Sequence, residues 1–197
     1  MAHYHHGNLK QALLKTGLQF IKQEKPLTIR GLAKAVDVTP AAVYRHFTNK
    51  EALLAQLAEE GFKKMHQAFS DIKAPTAKER LFRIGEAYIH FALNHPEHFH
   101  IMFSRFDWHS ETFDELTELG NATFESLAST CRELMPDETQ AEWLIAATWS
   151  QVHGYAMLSL RKCTDSCEQP ELFPNDAAVI RHLIEATWGP HFPESDR

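Results

Sequence analysis

The segment from Thr28 to Leu53 constrains the fold of this chain most, because it has the pattern of two short helices joined by a sharp turn. Thr28 is a good N-cap, and apolar residues follow it at helical spacing. These residues are Ile29, Leu32, Ala33 and Val36. The first helix is therefore expected to end near Val36. Asp37 follows where the chain must bend, and an Asp can adopt the left-handed conformation that such a bend requires.

The second helix of this segment is expected to begin after Thr39, a second N-cap, with Pro40 at its first position, where a missing N–H costs nothing. Val43 and Phe47 would point back toward the first helix, and Ala33 is small enough to let the two helices cross closely. The outward face carries Pro40, Ala41, Ala42, Tyr44, Arg45 and His46, with Asn49 and Lys50 at the start of a third helix. A helix of this kind fits the major groove of DNA.

At these residues the segment resembles the DNA-binding domain of the TetR/AcrR family of bacterial transcriptional regulators, including the ending VYRHF-x-NKEAL. The start HYHHGNLKQALL resembles one subgroup of that family. Trp149, His153 and Gly154 form W-x-x-x-H-G, which is similar to the signature of the C-terminal domain named WHG. The resemblance implies an all-α protein of about nine helices. An N-terminal helix-turn-helix domain of three helices would precede a larger helical domain for ligand binding and dimerisation.

The resemblance also implies roles for individual residues of the first domain. Arg30, Pro40, Ala42 and Tyr44 would face base edges or their margins, and Thr28, Thr39, His46 and Lys50 would contact phosphates. Because Pro40 and Ala42 offer only apolar contacts, Arg30 is the best candidate for reading a base by hydrogen bonds. The implied function is that of a repressor that binds a near-palindromic operator in double-stranded DNA and is released by a small-molecule effector.

Apolar spacing and helix breakers predict the remaining helices. They span about 49–72, 76–93, 96–103, 111–135, 138–162 and 175–188. We expect a DNA-binding domain at 1–50, a connecting helix within 51–75, and a regulatory and dimerisation domain at 76–197. By the resemblance, homodimers form through the last two long helices, whose broad apolar faces would otherwise be exposed.

The charge is divided unevenly along the chain. Residues 1–66 carry a net charge of +5 and residues 67–197 carry −11, within an overall net charge of −6. A positive first part suits phosphate, and an acidic remainder discourages wrapping by nucleic acid. An apolar run of about 18 residues and a signal-peptide profile are both missing from the sequence. The three cysteines agree with a reducing compartment. These features predict a cytoplasmic protein with no membrane association.

A largely apolar small molecule is expected to bind in the body of each subunit, between the helices of residues 76–162. Trp149 and His153 share one helix face, Gly154 would permit close approach of another helix, and His153 would be one polar group of the site. The expected walls are Tyr88, Phe91, Met102, Phe103, Phe106, Trp108, Phe124, Trp149, Tyr155 and Met157. The alternative is that these residues fill the core and that His153 is satisfied against Trp149. The helix over 49–72 would couple this site to the DNA-binding head.

Other classes of function have weaker support. A metal site is considered because histidines are dense at His90, His95, His98, His100 and His109. Only His95 and His98 combine helix-like spacing with an expected helix start, and Cys163 and Cys167 are a poor chelate. No cofactor is expected. The sequence has no Gly-x-Ser-x-Gly, His-Glu-x-x-His or Gly-rich phosphate motif, although a hydrolase using His153 and a distant Asp stays open. A non-specific nucleoid or adaptor protein would bind phosphate without a preferred site.

Overall fold

The computed structural model describes residues 9–104, 114–160 and 176–192, and in these ranges the regular structure is entirely helical. Nine α-helices and a 3-10 turn follow one another there, which confirms the all-α prediction. The α-helices are α1 (Leu9–Lys22), α2 (Ile29–Ala35), α3 (Pro40–Tyr44), α4 (Lys50–Ser70), α5 (Ala77–Asn94), α6 (Pro96–Met102), α7 (Asp114–Leu134), α8 (Glu138–Leu160) and α9 (Val179–Trp188). The 3-10 turn spans Gly189–His191.

Helix starts follow from side-chain caps that the sequence contains. The hydroxyl oxygens of Thr28, Thr39 and Thr76 accept hydrogen bonds from backbone N–H groups in the first turns of α2, α3 and α5. The start of α9 differs from the prediction, because Asp176 binds the backbone N–H of Ala178 and a turn delays the helix to Val179. A helix start near residue 111 and the 161–162 end of α8 lie outside the described residues.

The first compact unit contains α1 to α3, α4 as far as Gly61, α6, and the start of α7 to Leu116. Its core is formed by Leu13, Leu14, Leu32, Val43, Phe47, Leu53 and Leu57. The domain boundaries expected from the sequence place α6 in the regulatory region. In the structure Glu97 of α6 lies 3.9 Å from Lys22, and Nε2 of the buried His98 lies 3.9 Å from Glu60. Met102 packs so closely on Gly61 that a side chain there would collide with its sulfur.

The second compact unit contains the rest of α4, α5, most of α7, α8, α9 and the 3-10 turn. Helix α5 packs on α8, and α9 packs on both of them. The buried side chains include Leu81, Tyr88, Ile89, Leu144, Val152, Ile180, Ile184 and Phe192. At Gly85, α5 runs close to α9, and a Cβ at this position would stand 3.4 Å from the side chain of Ile180, which is ordinary contact distance.

Ion pairs join α9 to α5 inside the second unit. Arg181 donates two hydrogen bonds to the carboxylate of Glu79, at 2.8 and 3.1 Å, and one to Glu86 at 3.0 Å. Its guanidinium also lies 4.7 Å from the ring centre of Phe82. These bonds hold the pKa of Glu79 at about 2, below its usual 4.5, through Arg181 first and Arg83 second. None of the described helices has the length and hydropathy needed to cross a lipid bilayer.

Candidate functional site

The turn between α2 and α3 has the geometry that the sequence predicts. Asp37 has a φ of 56°, in the left-handed region, which confirms its assignment as the bend. The backbone N–H of Val38 donates to the carbonyl of Ala33 at 2.9 Å and closes the end of α2. Ala33 is buried, as the close approach of the two helices requires.

The orientation of α3 is set by two buried side chains. Val43 and Phe47 are almost completely buried in the core of the first unit. The backbone N–H of Phe47 donates to the carbonyl of Val43 at 3.0 Å, so helical geometry continues past the last residue of α3, Tyr44. The opposite side of α3 therefore faces away from the core.

The residues to which a base-facing role is assigned lie at this outer surface. Arg30 and Pro40 are exposed, Ala42 is half-buried, and the aromatic side chain of Tyr44 is 54% exposed. The ring and hydroxyl of Tyr44 are therefore accessible to a ligand at this surface.

The residues to which phosphate contacts are assigned surround this surface. Thr28 accepts a hydrogen bond from the N–H of Gly31 at 3.0 Å, and Thr39 accepts one from Ala42 at 3.3 Å. Each threonine keeps its own O–H as a donor for a phosphate oxygen. His46 and Lys50 are exposed, and Lys50 begins α4, which the side chain of Asn49 caps through the N–H of Ala52 at 2.7 Å.

The charges of this surface are available for an anionic ligand. In the part of the chain that the structure describes, Arg30, Arg45 and Lys50 form no ion pair or hydrogen bond through their side chains. Arg45 is exposed as well, on the outward face where the sequence predicts it. Exposed cations without carboxylate partners are what a phosphate backbone and base edges require.

Four of the residues predicted to line a ligand site gather in the second unit. The hydroxyl oxygen of Tyr88 lies 2.8 Å from Nδ1 of His153, and the two groups share a hydrogen bond between α5 and α8. Trp149 stacks on the imidazole with ring centres 5.6 Å apart and an interplanar angle of 21°. Edge-on contacts join Trp149 to Tyr88 and to Phe124, both at 5.5 Å. We call Tyr88, Phe124, Trp149 and His153 the body cluster.

The body cluster is uncharged at neutral pH. Burial lowers the pKa of the His153 imidazole below its ordinary 6.5, and burial raises the pKa of the Tyr88 hydroxyl well above its ordinary value. The geometry agrees with the alternative in which the polar groups of His153 are satisfied within the core beside Trp149, and the hydrogen bond between His153 and Tyr88 links α8 to α5.

The other residues assigned to a ligand site are dispersed. Phe91 pairs with His95, and Tyr155 is buried in the same unit. Met102 and Phe103 belong to the first unit, where the ring of Phe103 packs on Phe99. Phe106 and Trp108 lie outside the described residues. None of the described residues makes the close approach expected at Gly154, because a Cβ built there meets no atom of those residues within 4 Å.

The histidines considered for metal binding are not gathered into one site. His95 belongs to the second unit and His98 to the first, while His90 and His100 are exposed. Across residues 9–104, 114–160 and 176–192, no group of three His, Cys, Asp or Glu side chains could hold a metal ion. His109, Cys163 and Cys167 lie outside these ranges.

Two protein-family models match the chain, one in its N-terminal part and one in its C-terminal part. A family model described as bacterial regulatory proteins of the tetR family matches residues 25–57. A second model, described as a tetracyclin repressor-like C-terminal domain, matches residues 81–186, which is more than half of the chain. No curated protein matches the chain.

Solved structures match nearly the whole chain. A Rhodococcus sp. RHA1 protein described as having unknown function is 25% identical, with 96% of this chain and 98% of that one covered and a TM-score of 0.74. A tetR-family regulatory protein from Rhodococcus RHA1 is 17% identical, with 89% and 94% covered and a TM-score of 0.67. The TetR-family transcriptional regulator PfmR of Thermus thermophilus is 19% identical, with 87% and 96% covered and a TM-score of 0.67.

Proposed function

Because the chain belongs to the TetR family and is a DNA-binding transcriptional regulator, we propose that it is a repressor that a small molecule releases from a near-palindromic operator. The observation that carries the DNA-binding part is the outer surface formed by α2, α3 and the start of α4, where Arg30, Tyr44 and Lys50 are exposed. Neither Arg30 nor Lys50 has a side-chain partner in the described ranges. The protein would act in the cytoplasm, where it meets the chromosome.

The roles within this surface divide into base reading and backbone contact. Arg30 reads a base by hydrogen bonds, with Pro40, Ala42 and Tyr44 beside it, while Thr28, Thr39, His46 and Lys50 hold phosphates. Arg30→Ala is expected to cost about 1–3 kcal/mol on the operator and to relax base preference at one position per half-site. Lys50→Ala is expected to weaken all sequences similarly and to lower the salt slope by about 1.

Footprinting on the DNA that flanks the protein's own gene gives the operator, and gel shifts at several salt concentrations then give the affinities. Lys15→Ala is the matched control, because Lys15 is exposed in the same unit but on α1. A loss that is equal on operator and random DNA for both substitutions would refute the division of roles.

We infer a homodimer from the outer faces of α8 and α9. Trp143 is 62% exposed, Leu158 is 40% exposed, and Leu183 of α9 is 38% exposed. Gly154 lies on the same side of α8 as Trp143 and Leu158, and a Cβ built at this position would meet no atom of the described residues within 4 Å. A helix of a second subunit could approach closely there, and it would cover apolar surface that a monomer leaves in water. A two-fold dimer requires a near-palindromic operator.

The body cluster supports an effector of low polarity. Phe124 is 38% exposed and Trp149 is half-buried. Trp149 packs against both members of the uncharged Tyr88–His153 pair, and Phe124 packs edge-on against Trp149. Aromatic walls with one hydrogen-bonding pair suit a planar, neutral molecule. Helix α4 contributes residues to both compact units, so it can transmit a change from the body to the head. The effector must bind two arrangements of the protein with different affinities to release DNA.

A panel of neutral aromatic compounds tests the effector. A true effector is expected to raise the thermal stability of the wild-type protein and to lower its affinity for the operator, and Trp149→Ala should reduce both effects. If compounds change stability without changing operator affinity, they bind the body but are not effectors, and the DNA-binding function is unaffected.

A further inference from the structure

We propose that Arg45 is a second base-reading residue, and that it selects a guanine in the major groove of each operator half-site. This inference rests on the proposed operator binding and adds to it the identity of a base. From the sequence, Arg30 alone is expected to read a base by hydrogen bonds. The structure adds three observations about Arg45.

The first observation is its direction. Arg45 lies two residues from Val43 and two from Phe47, which is about 200° around a helix from each of them. Both of those side chains are buried in the core. Arg45 has α-helical backbone angles, with φ −69° and ψ −20°, so this helical arithmetic applies to it. Its Cα–Cβ bond therefore points away from the core on the same side as Ala41.

The second observation is the space beside it. Long side chains on a helix lean toward the N-terminus of the helix, over the residues three and four positions earlier. For Arg45 these residues are Ala42 and Ala41, whose methyl groups leave the path open. The N-terminal half of a recognition helix is the part that meets base edges. An arginine at the end of this short helix can therefore reach the bases that its first turn approaches.

The third observation is the contrast with the other described arginines. In the second unit Arg80, Arg83, Arg132 and Arg181 are each paired with a glutamate. In the first unit Arg30 and Arg45 have no such partner among the described residues. Both unpaired arginines lie at the surface assigned to DNA. A guanidinium free of carboxylates can donate two parallel hydrogen bonds, and O6 and N7 of guanine accept them with matching geometry.

The neighbours of Arg45 on α3 favour base reading over a phosphate contact for this residue. Pro40, Ala41 and Ala42 carry no side-chain donor, so the first turn can offer bases only apolar contact, such as to a thymine methyl group. Phosphate donors are already supplied around it by Thr39, His46 and Lys50. With Arg30, Arg45 gives the half-site two guanidinium groups, so the operator half-site is expected to contain guanine at two positions.

Selection from a random double-stranded library, followed by sequencing, tests the proposal with wild-type protein, Arg45→Ala and Arg45→Lys. The wild type should enrich a half-site in which guanine is fixed. Arg45→Ala should lose that guanine, and Arg45→Lys should select it less strongly than the wild type, because lysine keeps the charge but lacks the planar pair of donors. Arg45→Ala should bind the selected operator about 5- to 150-fold less tightly. The control variant Lys15→Ala should select the same guanine as the wild type.

A single-atom change in the DNA checks the contact itself. Replacement of the selected guanine by 7-deazaguanine removes N7, so it should weaken the wild type and leave Arg45→Ala unchanged. If both Arg45 variants keep the full consensus, or if Arg45→Ala loses the same factor on operator and random DNA, Arg45 contacts phosphate and the proposal is overturned. If the wild type enriches no sequence at all, it is the operator-binding function that fails.

Discussion

Replacing Glu79 by glutamine tests whether the ion pairs between α5 and α9 stabilise the second unit. The substitution keeps the size of the side chain and removes its charge. Arg181 then loses the carboxylate that it binds at 2.8 and 3.1 Å, but it keeps Glu86 at 3.0 Å. We therefore expect a partial loss of stability and no change of fold.

The magnitude follows from the pKa of Glu79. A carboxyl group whose pKa is 4.5 in the unfolded chain and about 2 in the folded protein contributes at most about 3 kcal/mol at neutral pH. The Glu79 side chain is 25% exposed and that of Arg181 is 33% exposed, so solvent screens the pair. The expected loss in the free energy of unfolding for Glu79→Gln is therefore about 1–2 kcal/mol at pH 7.

The sign of the pH dependence is fixed by the direction of the shift. Because the folded-state pKa is lowered, the contribution is complete above pH 4.5 and is lost as the pH falls toward 2. The difference in stability between wild type and Glu79→Gln should thus shrink on acidification, to about two fifths of its neutral value at pH 3.

Urea denaturation at several pH values measures this difference, with the protomer concentration held fixed because association adds to apparent stability. Glu125→Gln is the matched control, since its partner Arg132 is exposed and such pairs contribute about 0–1 kcal/mol. A difference for Glu79→Gln that is as small as for the control, or that does not change between pH 7 and pH 3, would refute the argument from the pKa.

Three further predictions concern single positions. Gly154→Arg should leave the helix content intact, because a Cβ there meets no described atom within 4 Å, and should dissociate the dimer in sedimentation experiments; a stable dimer would place the interface elsewhere. Tyr88→Phe removes the 2.8 Å hydrogen bond to His153 and should lower the free energy of unfolding by about 1 kcal/mol in urea. Asp37→Val should cost about 1–2 kcal/mol by thermal denaturation because the φ of 56° disfavours a β-branched residue, whereas Asp37→Gly should be nearly neutral.

The pH dependence of His153 has a definite sign too. Burial lowers its pKa below 6.5, so the unfolded chain binds a proton that the folded protein does not. The contribution of His153 to the free energy of unfolding is complete above pH 6.5 and decreases as the pH falls below that value. His153→Gln should lack this part of the pH profile, and an unchanged profile between pH 7.5 and pH 5.5 would show that the imidazole is not buried as described.

Local features of the fold could be predicted because neighbouring residues determine them. Thr28, Thr39 and Thr76 cap helices by accepting hydrogen bonds from residues three positions ahead. Asp37 adopts the left-handed conformation at the bend, which Asp tolerates better than most residues with a side chain. These contacts span a few residues, so the sequence alone contains them.

Contacts between distant residues could not be predicted in the same way. The Tyr88–His153 hydrogen bond joins residues 65 positions apart, and Lys22 approaches Glu97 from another helix. The membership of α6 in the first unit depends on such contacts. The aromatic and methionine content of the sequence did not show that Met102 packs on Gly61, or that Trp149 stacks on His153. The sequence indicated that Met102 and Trp149 are apolar side chains suited to a ligand site, but it did not indicate that they belong to different compact units.

The distribution of charge shows most directly what structure adds to sequence for function. Residues 1–66 carry a net charge of +5, but this sum does not distinguish a cation that is paired from one that is available. The structure makes that distinction for arginine, because every described arginine of the second unit has a glutamate partner and the two of the first unit have none among the described residues. A guanidinium held by a carboxylate must break that pair before it binds DNA, whereas Arg30 and Arg45 have no such cost. Availability, more than net charge, therefore identifies the side chains that we expect to read the operator.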